Sequence, residues 1–324
     1  MMLDRRALLR AGVALASLPT VEAARAVVPS PDSGETFALW PGAAPGGAGV
    51  TAEQQTIERA PANSALHDPA VIHVRTPTLT LFRPERPNGA ALLLIPGGSY
   101  QRVVVGKEGY EIARWFNERG ITVFALLYRL PADGWAAGPD APLQDAQRAM
   151  RLIRARAARD GVDARRVGVI GFSAGGHLAG RLATTFARPS YEAIDEADTL
   201  SARPDLAGLG YPVITMTEPY THMASRIELL GRSPTAEQIA ACSVEQHVPA
   251  DASPTFLMAA SDDPAVPVDN TLMMFLALRR QRVPAAMHIF EKGGHGFGLR
   301  TQSAATGAWP QLLLDWSRQH GFVG

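Results

Sequence analysis

The sequence predicts an α/β fold: a doubly wound, mostly parallel sheet with helices on both faces, an antiparallel edge on its N-terminal side and a small insertion as a lid. Three observations carry this reading. Short apolar runs alternate with segments of helical periodicity from residue 71 almost to the C-terminus, which is the rhythm of βαβ units. Several of the runs, such as 90–95 and 121–127, are apolar throughout, as strands buried on both faces require. Thirty glycines and 25 prolines, with no repeat period, provide sharp connections. Right-handed crossovers then wind the sheet in both directions. With 324 residues, 46% of them hydrophobic, the chain can bury a large core as one domain.

Composition excludes several classes of function. Basic and acidic side chains balance at 31 each, so no nucleic-acid or anionic-membrane partner is expected. The one cysteine, Cys242, rules out an internal disulfide framework and a Cys-clustered zinc site. No apolar run reaches the ~18–20 residues of a membrane span, so no stable membrane anchor is expected. The His, Asp and Glu residues show no metal-ligand spacing, and no phosphate-binding glycine loop is present. Oligomeric state leaves no signal in the sequence.

The first element is a leader over residues 1–26. Arg5 and Arg6 are adjacent and Arg10 follows; an apolar stretch over 11–18 then leads to the small-residue site Ala24-Arg25-Ala26. The order resembles a twin-arginine export signal, so a periplasmic or secreted location is expected. Residues 27–324 are then one domain. Residues 27–50, rich in Pro, Gly, Ala and Ser, read as an extended lead-in. Runs at 71–74 and 79–82 are short strands expected to form the antiparallel edge. A buried strand over 90–95 ends in Pro96-Gly97-Gly98. A helix over 108–119 follows, with Tyr110, Ile112, Ala113, Trp115 and Phe116 on one face and Gly120 as its stop. The alternation continues with a strand at 121–127, a helix at 141–159, a strand at 167–170, a helix at 175–186 and a strand at 206–214. Residues 216–251 break the rhythm, with one helix candidate at 236–241; an insertion of that size is a candidate lid or binding loop. A strand at 255–260, a helix at 270–282, a strand at 287–290 and a helix at 309–320 complete the chain.

The sharpest motif is Gly171-Phe172-Ser173-Ala174-Gly175, placed where a strand runs into a helix. In that context Gly-x-Ser-x-Gly is a nucleophile elbow: a strained turn lifts the serine hydroxyl above the sheet and aims the next N–H at a developing oxyanion. A serine needs a base. Of the eight histidines, His67 and His73 precede the core sheet. His177 lies on the helix after Ser173 as a packing or capping residue. His222 and His247 lie in the insertion, His288 within a strand, and His320 at the end of the last helix. His295 instead sits in Gly293-Gly294-His295-Gly296-Phe297-Gly298, directly after a strand, where a doubly wound sheet places its ligands. The acid comes from Asp262-Asp263, after the strand at 255–260. Two buried neighbouring carboxylates would repel, so one is expected to reach His295. The Asp-x-x-Val-Pro pattern points to Asp263, with Asp262 as the alternative. Backbone N–H groups of Gly98 or Ser99, partnered by Ala174, are expected to form the oxyanion hole.

Five motifs recur here in a familiar order: Ile95-Pro96-Gly97-Gly98-Ser99-Tyr100; Gly171-Phe172-Ser173-Ala174-Gly175-Gly176-His177; Thr221-His222-x-x-Ser225-Arg226-x-x-Leu229-Leu230-Gly231; Asp263-x-x-Val266-Pro267; and Gly293-Gly294-His295-Gly296-Phe297-Gly298. Together, over roughly residues 38–320, they resemble the acetyl xylan esterase-like branch of the alpha/beta hydrolases. Ser99 stands where that family often has a third glycine. The resemblance implies an alpha/beta-hydrolase fold, no cofactor, and a serine carbohydrate esterase acting on acetylated polysaccharide through Ser173, Asp263 and His295. Tyr100, beside the oxyanion loop, is expected to cap the acyl side. Glu218, Tyr220, His222 and Arg226 of the insertion are expected to meet sugar hydroxyls. A feruloyl esterase, a general carboxylesterase or a peptidase on the same triad, or a non-catalytic binding module, are the alternatives.

Overall fold

The structure, a computed structural model, describes residues 34–300 and 304–324, so the leader expected over 1–26 lies outside the described residues. Among the described residues ten strands form two sheets: β1 (Glu35–Ala38), β2 (Gln55–Glu58), β3 (Pro69–Ile72), β4 (Thr78–Phe82), β5 (Ala91–Ile95), β6 (Thr122–Leu127), β7 (Val167–Phe172), β8 (Ala207–Gly210), β9 (Thr255–Ala260) and β10 (Ala285–Phe290). The main sheet has eight strands in the order β1-β4-β6-β5-β7-β8-β9-β10. It is parallel from β6 to β10, while β4 runs antiparallel to both β1 and β6. Order reverses at β5, which lies between β6 and β7, so the carboxyl ends of β5 and β7 open onto the crevice where such sheets bind ligands.

Eight α-helices among the described residues complete the fold: α1 (Glu111–Asn117), α2 (Ala141–Ala155), α3 (Ala174–Thr185), α4 (Met223–Leu230), α5 (Ala236–Cys242), α6 (Asp269–Arg280), α7 (Ala304–Gly307) and α8 (Trp309–Gln319). Their apolar faces build one core on each side of the sheet. On one side Leu143, Ala146 and Met150 of α2, Leu178 and Leu182 of α3, and Met274 and Leu278 of α6 cover Leu93, Val169 and Leu257. On the other, Ile112 and Phe116 of α1 and Trp309 and Leu313 of α8 cover Leu92, Ile170 and Met258. Burial of both faces is why β5, β7 and β9 are buried at every position. No helix among the described residues is long and apolar enough to cross a membrane.

Three local expectations change. The runs near 71 and 79 do not pair with each other: β3 joins β2 in a separate two-stranded sheet, and the antiparallel edge is made by β4 and β1. The lead-in therefore contributes a strand and part of the core. Leu39 and Trp40 are buried, and the Trp40 indole N–H donates to Asp145 Oδ1 at 2.8 Å. Asp145 also faces Arg129 within the core at 2.9 Å; burial raises its carboxyl pKa, and the guanidinium opposes that rise. The helix expected from 108 begins instead as a π-helical turn, Gly106–Tyr110, and only then becomes α1. The insertion over 216–251 holds two helices, α4 and α5, where one is expected. Eight residues of α4, capped by the His222 side chain, are too few to show a period against the surrounding loop.

Candidate active site

The turn from β7 to α3 carries Ser173 with φ 53° and ψ −121°, a conformation outside the regions open to ordinary side chains. Tight packing imposes it. A Cβ at Gly171 would lie 2.2 Å from the Gly175 carbonyl, and one at Gly175 would lie 2.2 Å from the Ile95 carbonyl, so strand and helix approach only because both positions are glycine. The hydroxyl rises at the carboxyl end of the sheet, where Ser173 Oγ lies 2.8 Å from His295 Nε2. His295 Nδ1 lies 2.7 Å from Asp263 Oδ2, and the Asp263 side chain is almost wholly buried. With Nδ1 protonated, the imidazole donates to the carboxylate and its Nε2 accepts the serine proton.

The two aspartates divide their contacts. Asp263 Oδ1 accepts the N–H groups of Ala265 and Val266 at 2.8 and 2.9 Å, which fixes the carboxylate while Oδ2 meets the histidine. Asp262 instead accepts the Gly293 and Gly294 N–H groups, both at 2.8 Å, and so braces the loop that carries His295. Its carboxyl is held below the usual range chiefly by the Gly294 N–H. The far end of that loop is tied down by the Trp309 indole N–H, which donates to the Gly298 carbonyl at 2.8 Å.

The β5 loop supplies the backbone donors. Gly98 has φ 131°, and a Cβ there would lie 2.2 Å from the Arg102 carbonyl, so only glycine fits. The Gly98 and Ser99 N–H groups have no acceptor among the described residues, and both residues line one cavity with Ser173 and His295. Ala174 is the first residue of α3, so its N–H has no partner within the helix. The cavity measures about 160 Å³ and opens to solvent. A larger hollow of about 380 Å³ lies between Trp40, Arg75 and Trp135, but neither Ser173 nor His295 lines it.

Tyr100 is not where the sequence reading puts it. Ser99 and Tyr100 both have φ 60°, and these two successive left-handed residues turn the ring under the loop instead of over the site. The side chain is fully buried, and its hydroxyl meets His177 Nδ1 at 2.8 Å. His177 Nε2 in turn donates to the Cys242 carbonyl at 2.7 Å, joining the β5 loop, α3 and the insertion. Tyr100 therefore supports the loop and does not cap an acyl group. Of the insertion residues, His222 lies over His295 with rings nearly parallel and centroids 6.4 Å apart. Burial, then the neighbouring His295, lowers its pKa. Glu218 and Arg226 pair with each other at 3.0 Å, and Tyr220 is exposed. None of these three lines the cavity around Ser173.

Two site residues carry no signal in the sequence. Glu108, on the π-helical turn, is buried: Oε2 accepts the Gly97 N–H at 2.9 Å and Oε1 accepts the Tyr211 hydroxyl at 2.9 Å. The Tyr211 ring stands edge-on to His295, with centroids 5.2 Å apart. One carboxylate thus joins the base of the donor loop to the wall behind the histidine, across 103 residues of chain. A contact that distant leaves no periodicity or spacing to read.

His177 makes the fold sensitive to acid. Burial, reinforced by Arg181, lowers its pKa from 6.5 to about 3. Below pH 6.5 an unfolded chain takes up a proton that the native ring refuses. Stability is therefore complete above that pH and declines toward pH 3, by at most ~1.4 kcal/mol per unit. We expect Tm to fall between pH 6.5 and 4, and the slope to be shallower in His177→Gln. An unchanged slope in the variant would remove His177 as its source.

Comparison with known proteins places the chain in a family. The BD-FAE family model matches residues 80–278, which span β4 to α6 and include Ser173 and Asp263. The endo-1,4-beta-xylanase B of Butyrivibrio fibrisolvens is 38% identical over 205 residues, 63% of this chain and 32% of that protein. An acetylxylan esterase of Xylanibacter ruminicola is 33% identical over 227 residues, 69% of this chain and 44% of that protein. The chain thus spans less than half the length of these curated relatives. Among solved structures, an acetyl ester-xyloside bifunctional hydrolase from Caldicellulosiruptor lactoaceticus has a TM-score of 0.71 and 36% identity, covering 77% of this chain and 90% of that one.

Proposed function

Because the chain belongs to the BD-FAE family and has the alpha/beta-hydrolase fold, we propose that it is a serine esterase that removes acetyl groups from plant polysaccharide such as acetylated xylan. The observation that carries this reading is the continuous hydrogen-bonded chain Ser173–His295–Asp263, at 2.8 and 2.7 Å, in a cavity lined by Gly98 and Ser99, with the Ala174 N–H next in the chain after the serine. Ser173 Oγ attacks the acetyl carbonyl as His295 Nε2 takes its proton. The carbonyl oxygen becomes an oxyanion that accepts from the backbone N–H groups. His295 returns the proton to the departing sugar oxygen, leaving an acetyl-serine that water hydrolyses by the same steps. Asp263 holds the imidazole in the required tautomer and stabilises its cation. The names of the relatives support the acetyl and xylan parts of the proposal.

The small cavity supports a short acyl group. Arg59, Arg102, Lys107 and Glu108 line it, and such walls offer a long fatty chain little apolar surface to bury against. We expect kcat/KM to decline from acetate to butyrate to hexanoate esters, and acetate release from acetylated xylan to exceed release of ferulate from feruloylated xylan. A rise of about tenfold or more from acetate to hexanoate, at about 0.8 kcal/mol per methylene in a matching pocket, would mark a lipophilic esterase instead. The Arg5-Arg6 leader supports export to the periplasm or beyond, where such polysaccharide would be met.

A further inference from the structure

We propose that the substrate carries a carboxylate on the sugar, close to the acetyl ester, as an acetylated saccharide bearing a uronosyl group would. The inference rests on the acetyl-esterase reading and narrows its substrate class. Its basis is the charge around Ser173. Three cations, Arg59, Arg102 and Lys107, line the cavity against one carboxylate, Glu108. They come from two separate pieces of chain, Arg59 just after β2 and Arg102 with Lys107 from the connection between β5 and α1, so the cluster is assembled by the fold and is no simple charge run.

Their partners are unequal. Arg59 is paired with Asp68 at 3.2 Å. Among the described residues the Arg102 guanidinium meets only the neutral Gln101 amide oxygen, at 2.9 Å, and that amide turns its nitrogen to Glu228. Lys107 has no carboxylate partner among the described residues, although it is half-buried. Its ammonium sits beside the histidine loop: a Cβ at Gly296 would be 3.7 Å from Lys107 Nζ and 3.7 Å from Glu108 Oε1. Glu108 already accepts from Gly97 and Tyr211, and Asp263 from His295. On the insertion side Arg226 is matched by Glu218. Among the described residues Arg102 and Lys107 therefore form no ion pair, and because Glu108 is the one uncancelled carboxylate lining the cavity, its wall keeps a net positive charge.

Neutral sugar hydroxyls do not require a cationic wall. A carboxylate does, because charge-assisted hydrogen bonds to guanidinium and ammonium are about twice as strong as neutral ones. Low-dielectric cavity walls also raise the local concentration of the matching ion. Since an acetyl group has no charge, the anion belongs to the alcohol side.

The test compares a monoacetylated methyl glucuronoside with the same compound as its methyl ester, following acetate release by the full-length protein. The sugar and acetyl group are identical, and the carboxylate is masked as a neutral methyl ester. We expect kcat/KM to be about fivefold or more higher for the free acid at low salt, with the ratio shrinking at ~0.5 M salt. The ratio should fall toward one in Arg102→Gln/Lys107→Gln and persist in Lys107→Arg. A wild-type ratio of one or below overturns the inference, as does an unchanged ratio in the double variant. Hydrolysis of both esters without preference overturns this inference alone. No acetate from either ester, nor from phenyl acetate, overturns the esterase reading and this one with it.

Discussion

Ser173→Ala is expected to lower kcat on a short acetate ester by on the order of 10³-fold or more while leaving the thermal unfolding transition in place. The two halves of that expectation have separate causes. Among the described residues the hydroxyl is the one nucleophilic oxygen within hydrogen-bond distance of His295 Nε2, at 2.8 Å, so its removal leaves only water activated by a histidine positioned for another atom. The backbone turn, by contrast, is held by the packing of Gly171 on Gly175 and of Gly175 on the Ile95 carbonyl, none of which involves the serine oxygen. Alanine meets the same left-handed strain as serine at φ 53°, so the fold loses little. Activity retained within about tenfold would sink the assignment of Ser173; a collapsed unfolding transition would mean that the hydroxyl has a structural role that its contacts do not show.

Asp263→Asn is expected to cost about 10³–10⁴-fold in kcat, and Asp262→Asn less than about tenfold. The carboxylate at 263 accepts on both oxygens, from Ala265 and Val266 on one side and from His295 on the other. An asparagine must keep its oxygen toward the two backbone N–H groups, so its NH₂ faces His295 Nδ1. That nitrogen then has to accept, which moves the ring proton to Nε2 and leaves no lone pair there for the serine proton. At 262 the same substitution leaves an amide oxygen able to accept from Gly293 and Gly294, so the histidine loop stays braced. Measured kcat for the two variants decides between the neighbours: a larger loss at 262 would reverse their roles.

Much of this molecule was legible before its structure, and the legible parts share a cause. Strand and helix positions follow from local periodicity, and β5 to β10 fall close to the apolar runs that predict them. Ser173, Asp263 and His295 could be singled out because each lies just past the carboxyl end of a strand, in a glycine- or proline-marked turn. A parallel sheet brings such turns to one edge whatever the loops between them do. The pairing of β1 with β4, and of β2 with β3, was not legible, because β1 and β2 are four residues each and largely exposed, without the continuous burial that makes a run distinctive. The helix α4 was missed for a similar reason of length.

The sequence by itself determined the doubly wound sheet, the order in which serine, acid and histidine reach its edge, and the glycines that let strand and helix meet at the nucleophile. Only the tertiary structure decided that Tyr100 lies beneath the donor loop against His177, that Glu108 joins Gly97 to Tyr211, that His222 covers His295, and that Arg59, Arg102 and Lys107 share one cavity. The physical reason is the range of the forces involved. Burial and backbone sterics act on neighbours and leave a period in the chain. Where a side chain points after two left-handed residues, and which charges meet across a hundred residues, is set by closure of the whole fold, and closure leaves no local mark.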